Sequence, residues 1–68
     1  MNIYDNLNDT LREWSRILTA KHGALFRMYS DEKETLNVWS RGLTKIYSKP
    51  FIVKSSPFDT LLEWSKLM

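Results

Sequence analysis

The amino-acid sequence predicts a small α/β domain made of three strand–helix units that repeat every 25 residues. Two observations support this prediction: one motif occurs three times at the same interval, and a short apolar segment precedes each of its copies. The chain of 68 residues is long enough for one domain, near the lower limit of independent folding. We expect a single domain over 1–68, built from units of about 1–22, 23–48 and 49–68.

The repeated motif reads Thr-Leu-x-x-Trp-Ser-(Arg/Lys)-x-(Leu/Met). Its tryptophans are Trp14, Trp39 and Trp64. The leucine, the tryptophan and the last apolar residue lie at i, i+3 and i+7, which is one stripe of an α-helix. In the second copy we expect this stripe to continue through Ile46 and Tyr47. The motif therefore predicts helices over about 6–21, 31–47 and 57–67.

Signals at the helix ends support these three helices. Asp31, three residues before a glutamate, resembles the start of a capping box, and Ser56 followed by Pro57 is typical of a helix start. At the end of the first helix, His22 places a cation in the last turn and Gly23 follows as a C′ glycine.

The segments between the helices predict short strands. Residues 24–29 and 49–54 are aromatic and apolar, and turn-forming residues bound them. Residues 1–4 occupy the same place in the first unit. Strands separated by helices pair in parallel through right-handed crossovers. A sheet of three short strands is too narrow to bury both of its faces, which favours a homodimer.

A competing interpretation makes residues 35–41 a strand that pairs with 24–30, which gives an α+β fold in the order α-β-β-β-α. The two segments would pair across the polar turn 31–34, and Gly42 weakens the second helix, because glycine inside a helix costs about 1 kcal/mol relative to alanine. The repeat favours the helix, because the first and third copies of the motif are helical by their spacing.

Composition excludes several kinds of functional site. The chain has no cysteine and one histidine, so it lacks the residues for a disulfide or a structural zinc site. Its two glycines cannot form a Gly-rich phosphate loop, and no serine has the setting of a catalytic nucleophile beside His22. We therefore expect a non-enzymatic protein with no metal site and no cofactor.

The first residues lack the basic and apolar regions of a secretory signal, and no apolar run reaches the ~20 residues of a membrane span. Together with the absence of cysteine, this predicts a cytoplasmic location without membrane contact.

The stretch 41–54 is the strongest candidate for a binding site. It contains no acidic residue, and it interleaves four cations with two aromatic residues: Arg41, Lys45, Tyr47, Lys49, Phe51 and Lys54. Basic side chains for phosphates and rings for base stacking are what single-stranded nucleic-acid sites use. Lysines are also frequent at helix ends and on exposed strand edges, where they prevent aggregation.

The motif itself carries two further groups of candidates. We expect the tryptophans to form the core, with Trp64 partly exposed because it lies close to the end of the sequence. The cation two residues after each tryptophan lies about 200° round the helix and is expected to point outward. These cations are Arg16, Arg41 and Lys66.

Three hypotheses for function follow. The first is a non-catalytic protein-interaction module, a regulator, inhibitor or adaptor that docks on a larger protein. Its contact would use Arg41, Tyr47, Lys49, Phe51 and the end of the chain from Trp64. The alternative is a nucleic-acid-binding domain that uses 41–54. A third is a structural homo-oligomer formed by pairing of strand edges.

Overall fold

The computed structural model describes residues 2–68 and contains three α-helices joined by extended segments. Helix α1 spans Leu7–His22, α2 spans Glu32–Tyr47 and α3 spans Pro57–Leu67. The three predicted helices are thus confirmed, with boundaries shifted by one residue at most. No helix of the described chain is both long and apolar enough to cross a bilayer.

The predicted fold class is wrong, because residues 2–68 contain no β-strand. The segments 24–29 and 49–54, predicted as strands, are extended but unpaired. The same holds for residues 2–4 of the first predicted strand, and Met1 lies outside the described residues. The alternative order α-β-β-β-α is wrong as well, because 35–41 lies inside α2. The molecule is an all-helical domain.

The strands do not pair because side chains of the helices already bind their backbone groups. In the second unit, the N–H of Phe26 donates to Thr19 Oγ1 (3.0 Å) and its carbonyl accepts a hydrogen bond from Ser15. The carbonyl of Arg27 accepts a bond from Trp39 Nε1 (2.9 Å). A buried backbone group needs one partner, and here a serine, a threonine or a tryptophan supplies it in place of a neighbouring strand.

The same bonds recur 25 residues later along the chain. The N–H of Phe51 donates to Thr44 Oγ1 (3.0 Å), and its carbonyl accepts a hydrogen bond from Ser40. The carbonyl of Ile52 accepts a bond from Trp64 Nε1 (3.1 Å). Each segment is therefore held between the helix before it and the helix after it, which explains why the motif keeps Trp and Ser. The Thr of the motif binds the far end of the same segment: Thr35 Oγ1 accepts a hydrogen bond from the N–H of Tyr29 (3.0 Å), and Thr60 Oγ1 accepts one from the N–H of Lys54 (2.9 Å).

The three tryptophans fill the core, as the sequence predicts. Trp14 and Trp39 are 0% and 1% exposed. Trp64 is 0% exposed, so the expectation that it is partly exposed is wrong. The ring of Phe51 helps to cover it: this ring lies edge-on to the indole of Trp64, with the two ring centroids 5.9 Å apart. Leucines of the helical stripe and Phe26 complete this core.

Caps define the helix ends. The side chain of Asn6 accepts hydrogen bonds from two N–H groups of α1, and Asp31 accepts one from the N–H of Lys33 (3.2 Å). The first helix ends at Gly23, whose φ of 65° is the left-handed conformation that glycine adopts without strain. At the same point of the second unit stands Ser48, with a φ of 57°.

The C-terminal ends of α1 and α2 lie close together. Phe26 contacts the second half of α1 through Thr19, and its ring lies 3.4 Å from the position that a Cβ atom of Gly42 would take in the second half of α2. At the helix ends, His22 Nε2 and Tyr47 Oη lie 3.0 Å apart. Because the last turns of α1 and α2 carry bases and no acid, the joined ends of these two helices form a basic end of the molecule.

Candidate functional site

The stretch 41–54 splits into exposed cations and covered aromatic rings. All four cations, Arg41, Lys45, Lys49 and Lys54, are exposed, and none forms an ion pair with a residue in the described part of the chain. The ring of Phe51 is 1% exposed and that of Tyr47 is half-buried. The basic part of this predicted site is therefore at the surface, and its aromatic part is mostly not.

Tyr47 and Phe51 belong to an aromatic cluster at the ends of α1 and α2. The Tyr47 ring lies edge-on to His22 (centroids 5.2 Å apart) and 5.5 Å from the ring of Phe51. His22 also lies 6.0 Å from Phe26. Rings held in such edge-on and tilted contacts stabilise the fold.

Exposed apolar side chains stand beside this cluster. Leu25 is 74% exposed and Ile46 is 43% exposed. Leu25 directly precedes Phe26, and Ile46 lies one turn beyond Gly42, so both lie where α1 and α2 end. Ile46 was expected on the buried stripe of the second helix, and this exposure corrects that expectation.

We call this surface the basic end and define it by five residues: Lys21, Leu25, Lys45, Ile46 and Lys49. All five are exposed. It contains no acidic residue, since the acids of the first turns lie at the opposite end of the helices. A surface with two large apolar side chains among three lysines resembles the core and rim of a protein interface.

The remaining predicted residues lie elsewhere. Arg16, Arg41 and Lys66 point outward from successive helices, as expected from their place in the motif. Lys54 precedes α3, and its backbone N–H donates to Thr60 Oγ1 (2.9 Å). Trp64 is buried and can affect a partner only by supporting the surface. The structure brings Tyr47, Phe51 and Trp64 together, with ring centroids 5.5 Å apart for Tyr47 and Phe51 and 5.9 Å apart for Phe51 and Trp64, while the cations stay at the surface.

A second surface feature is an open groove of about 800 Å³ along α1. Carboxylates, guanidinium groups and the Tyr4 ring line it; its residues are Tyr4, Asp5, Asn6, Asp9, Arg12, Glu13, Ser15 and Arg16. Arg16 pairs with Glu13 at 2.5 Å, and this hydrogen bond and charge raise the pKa of Arg16. No cluster of metal-ligating side chains occurs in this groove or elsewhere in residues 2–68.

Family models, curated proteins and solved structures were compared with this chain, and none matches it. Evidence for function therefore comes from the surface of the molecule itself.

No local pattern in the sequence pointed to Leu25, and the helical stripe of the second copy placed Ile46 in the core. A signal exists in the repeat, however. Ile46 stands where the first unit has Lys21, and Leu25 stands where the third unit has Pro50. Both counterparts are residues typical of the surface, so an apolar residue at either position stands out once the three units are aligned.

Proposed function

We propose that this protein is a non-catalytic protein-interaction module that docks the basic end onto an acidic segment of a larger protein. The observation that carries this proposal is the exposure of Leu25 (74%) and Ile46 (43%) on a surface with three lysines, none of which forms an ion pair within the described residues. The apolar side chains would enter a pocket of the partner, and the lysines would steer and orient the encounter.

The burial of Phe51 supports a protein partner over a nucleic acid. Base stacking on exposed rings contributes about 1–3 kcal/mol per base in single-strand binding, and neither Phe51 nor Tyr47 presents an open ring for it. Contacts to phosphates alone would remain. With duplex DNA, four phosphate contacts give a salt slope near −3.6 on a logarithmic scale, or about a 150-fold loss of affinity between 50 and 200 mM salt.

A matched pair of isoleucine variants tests the proposal. Ile46 and Ile52 are both exposed, but Ile52 is not one of the five residues of the basic end and lies on the segment before α3, where its carbonyl accepts a bond from Trp64 Nε1. The immobilised chain is used to capture and cross-link proteins from a cell extract, and each captured protein is then purified for titration. We expect a defined partner that Ile46→Asp weakens by tenfold or more and Ile52→Asp leaves unchanged.

A partner that binds both variants equally would contradict the basic end as the docking surface. Fluorescence anisotropy with short DNA and RNA provides the comparison with the alternative function. Tight binding at 50 mM salt that falls about 150-fold at 200 mM would favour nucleic acid instead. Absence of that binding together with a partner sensitive to Ile46→Asp would support the proposal.

A further inference from the structure

His22 is the last residue of α1 and the only histidine of the chain. Its side chain is half-buried, with the ring edge-on to that of Tyr47 (centroids 5.2 Å apart) and tilted against that of Phe26 (6.0 Å). Its Nε2 lies 3.0 Å from Tyr47 Oη, at hydrogen-bond distance. Two rings and one hydrogen bond therefore fix the imidazole between the ends of α1 and α2.

The contacts of His22 reach both halves of the basic end. Lys21 directly precedes it on α1, while Lys45 and Lys49 lie two residues to either side of Tyr47. The two apolar residues of the basic end directly precede the two rings that the imidazole contacts. A charge on the imidazole would therefore belong to the same surface as the three lysines.

No carboxylate in the described part of the chain forms an ion pair with His22 or with the lysines of the basic end. The groups that face the ring are the phenol of Tyr47 from α2, the neighbouring Lys21 from α1 and the apolar ring of Phe26. A positive charge on the imidazole is thus left for an external anion to neutralise.

The hydrogen bond to Tyr47 can persist in both charge states of the imidazole. A neutral ring with a bare Nε2 accepts the hydrogen of the phenol, and a protonated ring donates its own Nε2–H to the phenol oxygen. In the second case the phenol hydrogen turns to water, which reaches this half-buried side chain. Protonation of His22 therefore changes the charge of the surface without breaking this contact.

We propose that His22 is a pH-dependent fourth cation of the basic end, so that this surface binds its acidic partner more tightly when the imidazole is protonated. The inference rests on the proposed function, because its sign requires an acidic partner. Histidine is the side chain that ordinarily changes charge between about pH 5 and 8. At a protein surface, one more charge within about 6–8 Å of a carboxylate strengthens binding by about three- to tenfold. By linkage, binding of the acidic partner takes up protons.

Two substitutions that fix the charge of residue 22 test this proposal. His22→Gln keeps a polar side chain without a charge, and His22→Lys supplies a permanent cation; Ile46→Asp blocks the basic end itself. The probe is a random copolymer of glutamate and tyrosine, which offers carboxylates to the lysines and rings to the apolar side chains. Binding is measured by isothermal titration calorimetry at about pH 6 and about pH 8, in buffers of different ionisation enthalpy so that proton uptake is counted. Circular dichroism checks that each variant folds at both pH values.

We expect the wild type to bind the copolymer about three- to tenfold more tightly at the lower pH, with proton uptake. His22→Gln and His22→Lys should each bind equally at both pH values, and His22→Lys should bind the more tightly of the two. If Ile46→Asp weakens binding but the wild type and His22→Gln show the same pH dependence and proton uptake, this inference is overturned and the proposed function stands. A wild type that does not bind at either pH, or binding that Ile46→Asp leaves unchanged, would contradict both.

Discussion

Replacing Thr35 by valine removes one hydroxyl from the core and keeps the shape of the side chain. Thr35 is 0% exposed. Its hydroxyl accepts a hydrogen bond from the N–H of Tyr29 (3.0 Å) and donates one to the carbonyl of Asp31 (2.9 Å). In the variant the carbonyl of Asp31 keeps the bond from the N–H of residue 35 (3.0 Å), while the N–H of Tyr29 loses its partner.

The substitution therefore lowers the free energy of unfolding by the cost of one unpaired backbone N–H. Such a group costs about 1–3 kcal/mol when buried, and the half-buried position of Tyr29 places the expected loss at about 1–2 kcal/mol. For a domain of this size, 1 kcal/mol corresponds to about 4–8 °C in Tm. We therefore expect Thr35→Val to lower Tm by about 4–16 °C.

Thermal and urea unfolding followed by tryptophan fluorescence measure this loss. The control is Ser30→Ala, which removes an exposed hydroxyl next to the same segment and should change the free energy of unfolding by less than about 0.5 kcal/mol. If Thr35→Val is as stable as the wild type, the threonine does not hold the segment, and the reason given for the missing sheet is refuted.

Five further substitutions at four positions test single contacts of the fold by urea unfolding. Gly23 and Ser48 occupy equivalent positions of the repeat, and both have the left-handed backbone conformation. Gly23→Ser should therefore lower the free energy of unfolding by about 1 kcal/mol, and Ser48→Gly should raise it by about 0.5 kcal/mol. Changes of stability in the same direction would contradict this expectation. Gly42→Ala should stabilise by up to about 1 kcal/mol, while Gly42→Leu should destabilise through overlap with the ring of Phe26. Trp39→Phe removes an indole donor and core volume, and a loss below about 1 kcal/mol would argue against both roles.

The helices were predictable because their signals are local. The spacing of Leu, Trp and Leu, the pair Ser56-Pro57 and the C′ glycine at Gly23 depend only on neighbours along the chain. The missing sheet was not predictable in this way. An aromatic segment such as 24–29 has the composition of a strand, and only its contacts to Ser15 and Thr19 show that its backbone groups are already bound.

The candidate site was predictable in part for a similar reason. Lysines such as Lys45 and Lys49 are exposed wherever they lie on a helix end, so their exposure follows from the sequence. The burial of Phe51 depends on Trp64, a tertiary contact that spacing does not reveal. The exposure of Ile46 depends on how tightly the ends of α1 and α2 approach each other, which composition does not encode.

The central claim is that helix side chains, and not neighbouring strands, bind the extended segments. Amide hydrogen exchange measured by NMR tests it most directly. The N–H groups of Phe26, Tyr29, Phe51 and Lys54 each donate to a threonine hydroxyl, so they should exchange far more slowly than those of Arg27 and Ile52 in the same segments. Uniformly fast exchange, or nuclear Overhauser contacts between the backbones of neighbouring segments, would contradict the claim.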